Sequence, residues 1–178
     1  YPTLLGVELL SSSDSTTKDW TTNIYPFEKN NIMADKKFHL LHNEDDSVDK
    51  MVVERVLKKT DIVGSLHHAF DGEDALNKLI GSNGEDRLQP FPQIVLLDIN
   101  MPKMNGIEFL KEIRNNPDLK HLSVFMVTTS SDESDIKDSY EHNVAGYILK
   151  PVDLSEFEGT FKLITEYWKL CEFPASAN

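Results

Sequence analysis

The sequence holds a single cysteine, Cys171, in 178 residues. One thiol cannot close an intramolecular disulfide or supply a multi-cysteine zinc site, and it fits a reducing compartment, so the cytoplasm is the expected location. No apolar run nears the ~20 residues that a membrane-spanning helix needs. The opening residues also lack a charged segment followed by an apolar one, so no membrane partner and no secretory signal is expected. Positive charge is scarce: 18 Lys and Arg stand against 30 Asp and Glu, a net formal charge of −12. An acidic surface repels phosphate backbones, which argues against nucleic acid as a partner. Missing too are Gly-x-Gly-x-x-Gly and the Gly-Lys-Ser/Thr loop, so neither a dinucleotide enzyme nor a nucleoside triphosphatase is indicated.

What is present is ordinary globular material, 39% hydrophobic and 27% charged, in a length that suits one domain with a tail. Residues 11–31 are rich in Ser, Thr and Asn without a sustained apolar period, and residues 1–33 read as a tail or linker. Met33-Ala34-Asp35-Lys36-Lys37 resembles a translation start just ahead of a strand. The folded domain is expected over 34–173, with a short tail at 174–178.

From Phe38 onward, short apolar runs alternate with helix-period stretches. Strands are expected at Phe38–Asn43, Ile62–His68, Ile94–Leu97, Val124–Val127 and Ala145–Leu149. The first helix begins at Ser47, with Val48, Met51, Val52 and Val56 on one face. The second carries Ala75, Leu76, Leu79 and Ile80, and the third Ile107, Phe109, Leu110 and Ile113. Ser130-Ser131-Asp132-Glu133 reads as a capping box opening a fourth helix that runs to about Tyr140. Asp153 to Glu156 caps a last helix with Phe157, Phe161, Ile164 and Trp168 inward. Strands that alternate with helices imply an α/β fold: a doubly wound parallel sheet of five strands covered on both faces.

In such sheets chemistry collects at the carboxyl ends of the strands. Glu44-Asp45-Asp46 follows the first strand, Asp98 the third, Thr128-Thr129-Ser130 the fourth and Lys150-Pro151 the fifth. Converging carboxylates repel one another by about 3 kcal/mol per pair at ~5 Å and an effective dielectric near 20. An all-oxygen set of this kind suits a hard divalent ion such as Mg²⁺, which keeps waters and accepts a phosphate oxygen. Lys150 and the Thr128 hydroxyl would contact the remaining phosphoryl oxygens, leaving Asp98 as nucleophile. Each group also has a plainer use. The acid triplet could cap the first helix, Asp98 could make an Asx turn, Thr128 could serve as a β-former and Tyr147 as a packing aromatic. His67 and His68 are adjacent on a strand and face opposite sides, which argues against a metal shared between them.

The stretch from Phe38 to Trp168 resembles the receiver domain of two-component response regulators. The matching runs are Leu-Leu-His-Asn-Glu-Asp-Asp (40–46), Ile-Val-Leu-Leu-Asp-Ile-Asn-Met-Pro-Lys-Met-Asn-Gly (94–106), Val-Thr (127–128) and Gly-Tyr-Ile-Leu-Lys-Pro (146–151). The resemblance implies a flavodoxin-like (βα)5 fold with strand order 2-1-3-4-5. It implies that Asp98 accepts phosphate from a sensor histidine kinase or a histidine phosphotransfer protein. Glu44, Asp45, Asp98 and the Asn100 backbone carbonyl would hold Mg²⁺, with Mn²⁺ or Ca²⁺ able to substitute. Thr128 and Lys150 would contact the phosphoryl group, Tyr147 would be the rotamer switch, and Lys150–Pro151 would be a cis peptide. Asn100 and Ser130, each two residues past a site residue, would tune attack by water.

Departures from the family pattern bear on these expectations. His42 and Asn43 are polar where aliphatics are the rule, which predicts a short or shifted first strand. Thr129 is bulkier than the usual small residue and would hinder Tyr147 from turning inward. About ten residues follow the last helix, so a stand-alone receiver that switches protein contacts is expected. The aromatic C-terminal end resembles receivers that accompany phytochrome-type kinases, which would favour a homodimer built partly from the last helix and Trp168. The competing readings are a receiver-like interaction module that works without phosphate, or a receiver fragment of a hybrid histidine kinase. A flavodoxin-type binder would need a glycine- and hydroxyl-rich first loop in place of Glu44-Asp45-Asp46. A haloacid-dehalogenase-like phosphatase would need Asp where Asn100 stands.

Overall fold

The computed structural model describes residues 37–173; the tails expected at 1–33 and 174–178 lie outside the described residues. Five strands alternate with five helices: β1 (Phe38–Asn43), α1 (Ser47–Lys58), β2 (Val63–Ala69), α2 (Gly72–Ile80), β3 (Ile94–Leu97), α3 (Gly106–Asn115), β4 (Ser123–Thr128), α4 (Glu133–Glu141), β5 (Gly146–Leu149) and α5 (Leu154–Leu170). All strand pairs are parallel and the order is β2-β1-β3-β4-β5, as the resemblance implies. Among the described residues no helix is long and apolar enough to cross a membrane.

The continuous apolar runs are explained by burial on both faces of the sheet. Leu41, Val95, Leu97, Val124 and Met126 pack with α2 and α3 residues such as Leu79, Phe109 and Ile113. Their strand neighbours Leu40, Ile94, Leu96, Phe125 and Val127 point the other way, against Val52, Val56, Phe157, Phe161 and Trp168 of α1 and α5. The period of two is kept strand by strand; α2 and α3 cover one face, α1 and α5 the other, and α4 packs against α3 and β5. Trp168 is fully buried and meets Phe125 edge-on at 5.6 Å between ring centroids, so it belongs to the core and is not free to form a dimer surface.

Several sequence expectations shift. The buried face of α1 is Val52, Val53, Val56 and Leu57, whereas Val48 and Met51 are 49% and 63% exposed. The helix meets both the sheet and α5, which turns its inward stripe by about one residue relative to the 3.6-period reading. Ile80 at the end of α2 is likewise exposed, and Ile164 is only partly buried. Strand β2 starts one residue later than expected, although Ile62 stays buried. The fourth helix has no capping box: Asp132 makes no side-chain cap bond, and Ser130 Oγ instead donates to Asp135 Oδ2 at 2.7 Å. Asp153 does cap α5, accepting from Ser155 and Glu156 N–H. The one cis peptide among the described residues is Gln89–Pro90, so Lys150–Pro151 is trans, contrary to expectation.

Strand β1 is neither short nor displaced. His42 and Asn43 are buried at its end, the first as an uncharged ring and the second with its amide hydrogen-bonded. Burial, reinforced by the charges of His68 and Lys150, pushes His42 down to about 3, so its ring carries no charge. With its amide nitrogen turned toward β2, Asn43 donates to the carbonyls of Ala69 and Asp71 at 3.2 and 3.1 Å.

Candidate functional site

The order of strands reverses between β1 and β3, and the parallel register sets Asn43 beside Leu97. Residues 44 and 98 therefore leave the sheet side by side at the topological switch point. Asp98 N–H donates to the Asn43 carbonyl at 3.1 Å, and Glu44 N–H to the Ala69 carbonyl at 3.0 Å, which fixes both backbones. Of the acid triplet, Asp46 is the helix cap, accepting from Val48 and Asp49 N–H at 2.7 and 3.0 Å. That use leaves Glu44 and Asp45 for other work. Carboxylate oxygens of Glu44, Asp45 and Asp98 lie within 4.8 Å of one another.

The loop after β3 is held close by an absence. A Cβ on Gly106 would stand 2.1 Å from the Asp98 carbonyl oxygen, so only glycine lets α3 begin there. Asn105 and Glu108 complete a reciprocal capping box at the start of α3. On the far side, Met104 O accepts from Gly72 N–H at 3.0 Å, and Lys103 pairs with the buried Asp71 at 2.8 Å. The segment bearing Asn100 is thus tied to the start of α2.

Lys150 enters from the end of β5, where its N–H donates to the Thr128 carbonyl at 2.8 Å. Its Nζ lies 2.6 Å from Glu44, 2.8 Å from Asp49 and 3.4 Å from Asp98. Burial alone would lower the ammonium, but the charges of Asp98 and Glu44 outweigh it and hold Lys150 above its ordinary value. Burial pushes Glu44 up to about 7, with Lys150 pulling the other way and Asp98 adding to the rise. Asp98 uses Oδ1 to accept from Ile99 N–H at 2.8 Å and turns Oδ2 toward Lys150.

A cleft of about 460 Å³ takes in Glu44, Asp45, Asp98, Asn100, Thr129 and Lys150. Thr128 does not line it. That residue is fully buried at the end of β4, and its Oγ1 accepts from Ser130 N–H at 3.3 Å. Tyr147 packs against the core and its hydroxyl donates to the Ser130 carbonyl at 3.0 Å, so Thr129 does not hold the ring outward. Asp49 was not singled out from the sequence. The signal for it existed, since an acid three residues past an Asp cap sits in the first helical turn and faces the same opening.

The donor set fits a divalent cation on its chemistry. Three carboxylates offer hard oxygen ligands, and one ammonium is too little charge to balance them. The site is thus an anionic pocket with one buried ammonium among its carboxylates, suited to a cation and then to a phosphoryl group.

The family description "Response regulator receiver domain" matches residues 41–162. Response regulator Rcp1 of Synechocystis sp. is 38% identical over 125 residues, covering 70% of this chain and 84% of the relative. The Mn²⁺-bound crystal structure of Rcp1 superposes with a TM-score of 0.71 at 34% identity, covering 78% of this chain and 99% of that one. The phosphorylated cyanobacterial phytochrome response regulator RcpA gives the same TM-score at 30% identity, also over 78% and 99% of the two chains. One of these relatives thus holds a manganese ion and another is phosphorylated. The chain belongs to the response regulator receiver-domain family: it is a phosphoacceptor of two-component signalling, served by a histidine kinase, and not an enzyme.

Proposed function

We propose that Asp98 is the phosphoacceptor, taking its phosphoryl group from the phosphohistidine of a sensor kinase or a histidine phosphotransfer protein. The observation that carries this is the convergence of Glu44, Asp45 and Asp98 within 4.8 Å, with the Lys150 ammonium 3.4 Å from Asp98. An Asp98 carboxylate oxygen forms the new P–O bond as the donor's P–N bond breaks, and the leaving imidazole keeps the electron pair and gains a proton. Glu44, Asp45, Asp98 and the Asn100 carbonyl would hold Mg²⁺, for which Mn²⁺ or Ca²⁺ substitutes; the ion offsets phosphoryl charge. Lys150 exchanges a carboxylate contact for a phosphoryl oxygen.

The readout runs through hydrogen bonds already in place. Thr128 Oγ1 holds Ser130 N–H, Ser130 O holds the Tyr147 hydroxyl, and Ser130 Oγ holds Asp135 of α4. A phosphoryl oxygen that drew the buried Thr128 hydroxyl round toward the cleft would therefore pull on both β5 and α4. Incubation with acetyl phosphate and Mg²⁺, read by intact mass, is expected to add one phosphoryl group to the native chain and none to Asp98→Asn. Labelling of that variant at the native level overturns the assignment.

A second copy of the chain is proposed as a further partner. Leu163, Tyr167 and Leu170 are 73%, 54% and 72% exposed, and their spacing puts them on one stripe of α5, opposite its buried face. Such a stripe suits a self-complementary contact. Leu163→Glu is expected to move the elution volume from dimer to monomer; a monomeric native chain, phosphorylated or not, ends this reading.

A further inference from the structure

The edge strand β2 carries a second cluster of ligating groups on the far side of β1 from the acidic cleft's loops. Between Phe38 and His39 the register slips: Phe38 pairs with Val63, His39 with Ser65, and Gly64 is left over. A bulge of this kind re-aims the side chains beside it. Gly64 leaves room for the imidazole, since a Cβ there would lie 2.8 Å from His39 Cε1. After the slip His39 stands opposite Ser65, and His67, opposite Leu41, is one step further along the same face. Four polar atoms follow one another at hydrogen-bond distance. His39 Nδ1 is 2.9 Å from Ser65 Oγ, that oxygen is 3.2 Å from His67 Nε2, and that nitrogen is 2.9 Å from the Pro90 carbonyl oxygen.

We propose that His39, Ser65, His67 and the Pro90 carbonyl form a binding site for a borderline divalent transition ion, typified by Zn²⁺, separate from the phosphoryl site. Neighbouring ligands around an ion held at about 2.1 Å stand about 3.0–3.4 Å apart, close to all three successive separations. Two imidazoles with neutral oxygens select ions of this class over Mg²⁺, which prefers carboxylate and water. Ligation needs the neutral form of both rings. The protons balance without any release. Each imidazole keeps one N–H, on His39 Nε2 and on His67 Nδ1, and the Ser65 hydroxyl stays protonated. His39 precedes Glu44 by five residues, about 16 Å along an extended chain, so the two sites fill independently. A bound ion would pin the loop ahead of β3 to the edge of the sheet through Pro90.

Calorimetry and equilibrium dialysis with Zn²⁺ on the whole chain, with Mg²⁺ in excess to occupy the acidic cleft, test this. One Zn²⁺ per chain is expected, weakened about tenfold or more by His39→Gln and by His67→Gln. The same binding should survive Asp98→Asn and His121→Gln. Thermal melts in chelator establish that each variant is folded, and Ser65→Ala, also expected to weaken binding, stands in for any that is not. Zn²⁺ binding that ignores both histidine variants, that disappears with Asp98→Asn, or that is absent from the native chain overturns the site.

Discussion

At Gly106 a missing methyl group decides where Asp98 sits. The Asp98 carbonyl oxygen occupies the space a Cβ would need, 2.1 Å away. Gly106→Ala must push the start of α3 off β3 at a cost of about 1–3 kcal/mol, typical of overpacking. Asp98 and Asn100 would move with the loop, so the melting temperature should fall and labelling by acetyl phosphate should slow together. An unchanged melting temperature would show that the contact can relax. The residues at strand ends were legible for a related reason. Glu44, Asp45, Asp98 and Lys150 follow strands whose direction the topology fixes, and the structure brings them together. Asp49 was harder to read, because its role depends on how α1 is aimed relative to β5. The positions of Thr128 and Thr129 were not legible either: which of two adjacent threonines faces the cleft depends on how the backbone leaves β4.

Among the elements, the strands of the central sheet were read almost to the residue, because an apolar run bounded by turn residues has few other fates. Helix phase was read less well. Val48 and Met51 fit the same period as Val52 and Val56, and only the joint packing of α1 on the sheet and α5 selects the inward stripe. Helix α4 shows the weakest anchoring. Its first turn lacks a side-chain cap bond, and Ser139 is its one fully buried residue. By contrast, α3 has a complete capping box and buries Ile107, Phe109, Leu110 and Ile113. Local opening should therefore cost least at α4. Amide exchange in the native state is expected to be faster along Ile136–Glu141 than along Phe109–Asn115. Equal protection of the two helices would mean that the Ser130–Asp135 bond anchors α4 as firmly as a cap does. A low cost there would also let the proposed change at Thr128 move α4 readily.

For the whole molecule, the acidic cleft gathers like charge that the proposed cation would offset. The chain already carries a net charge of −12, and three of its carboxylates are gathered within 4.8 Å. Two full charges ~5 Å apart repel by about 3 kcal/mol at an effective dielectric near 20, and less where Glu44 is pushed up to about 7 and carries only part of its charge. Lys150 answers part of it through Glu44, Asp49 and Asp98. Asp45 makes none of those three contacts, so neutralising it removes repulsion without taking a partner from the ammonium. Asp45→Asn in chelator is accordingly expected to melt at a higher temperature than the native chain. The order should reverse in Mg²⁺. A ligand that binds only the folded state stabilises it by about 2.7 kcal/mol at a hundredfold excess over its dissociation constant, and the variant binds too weakly to gain this. Scanning calorimetry of both proteins with and without Mg²⁺ measures the crossing. If Asp45→Asn melts lower in chelator, its carboxylate is a net stabiliser of the empty cleft, and charge crowding is not what prepares this fold for its cation.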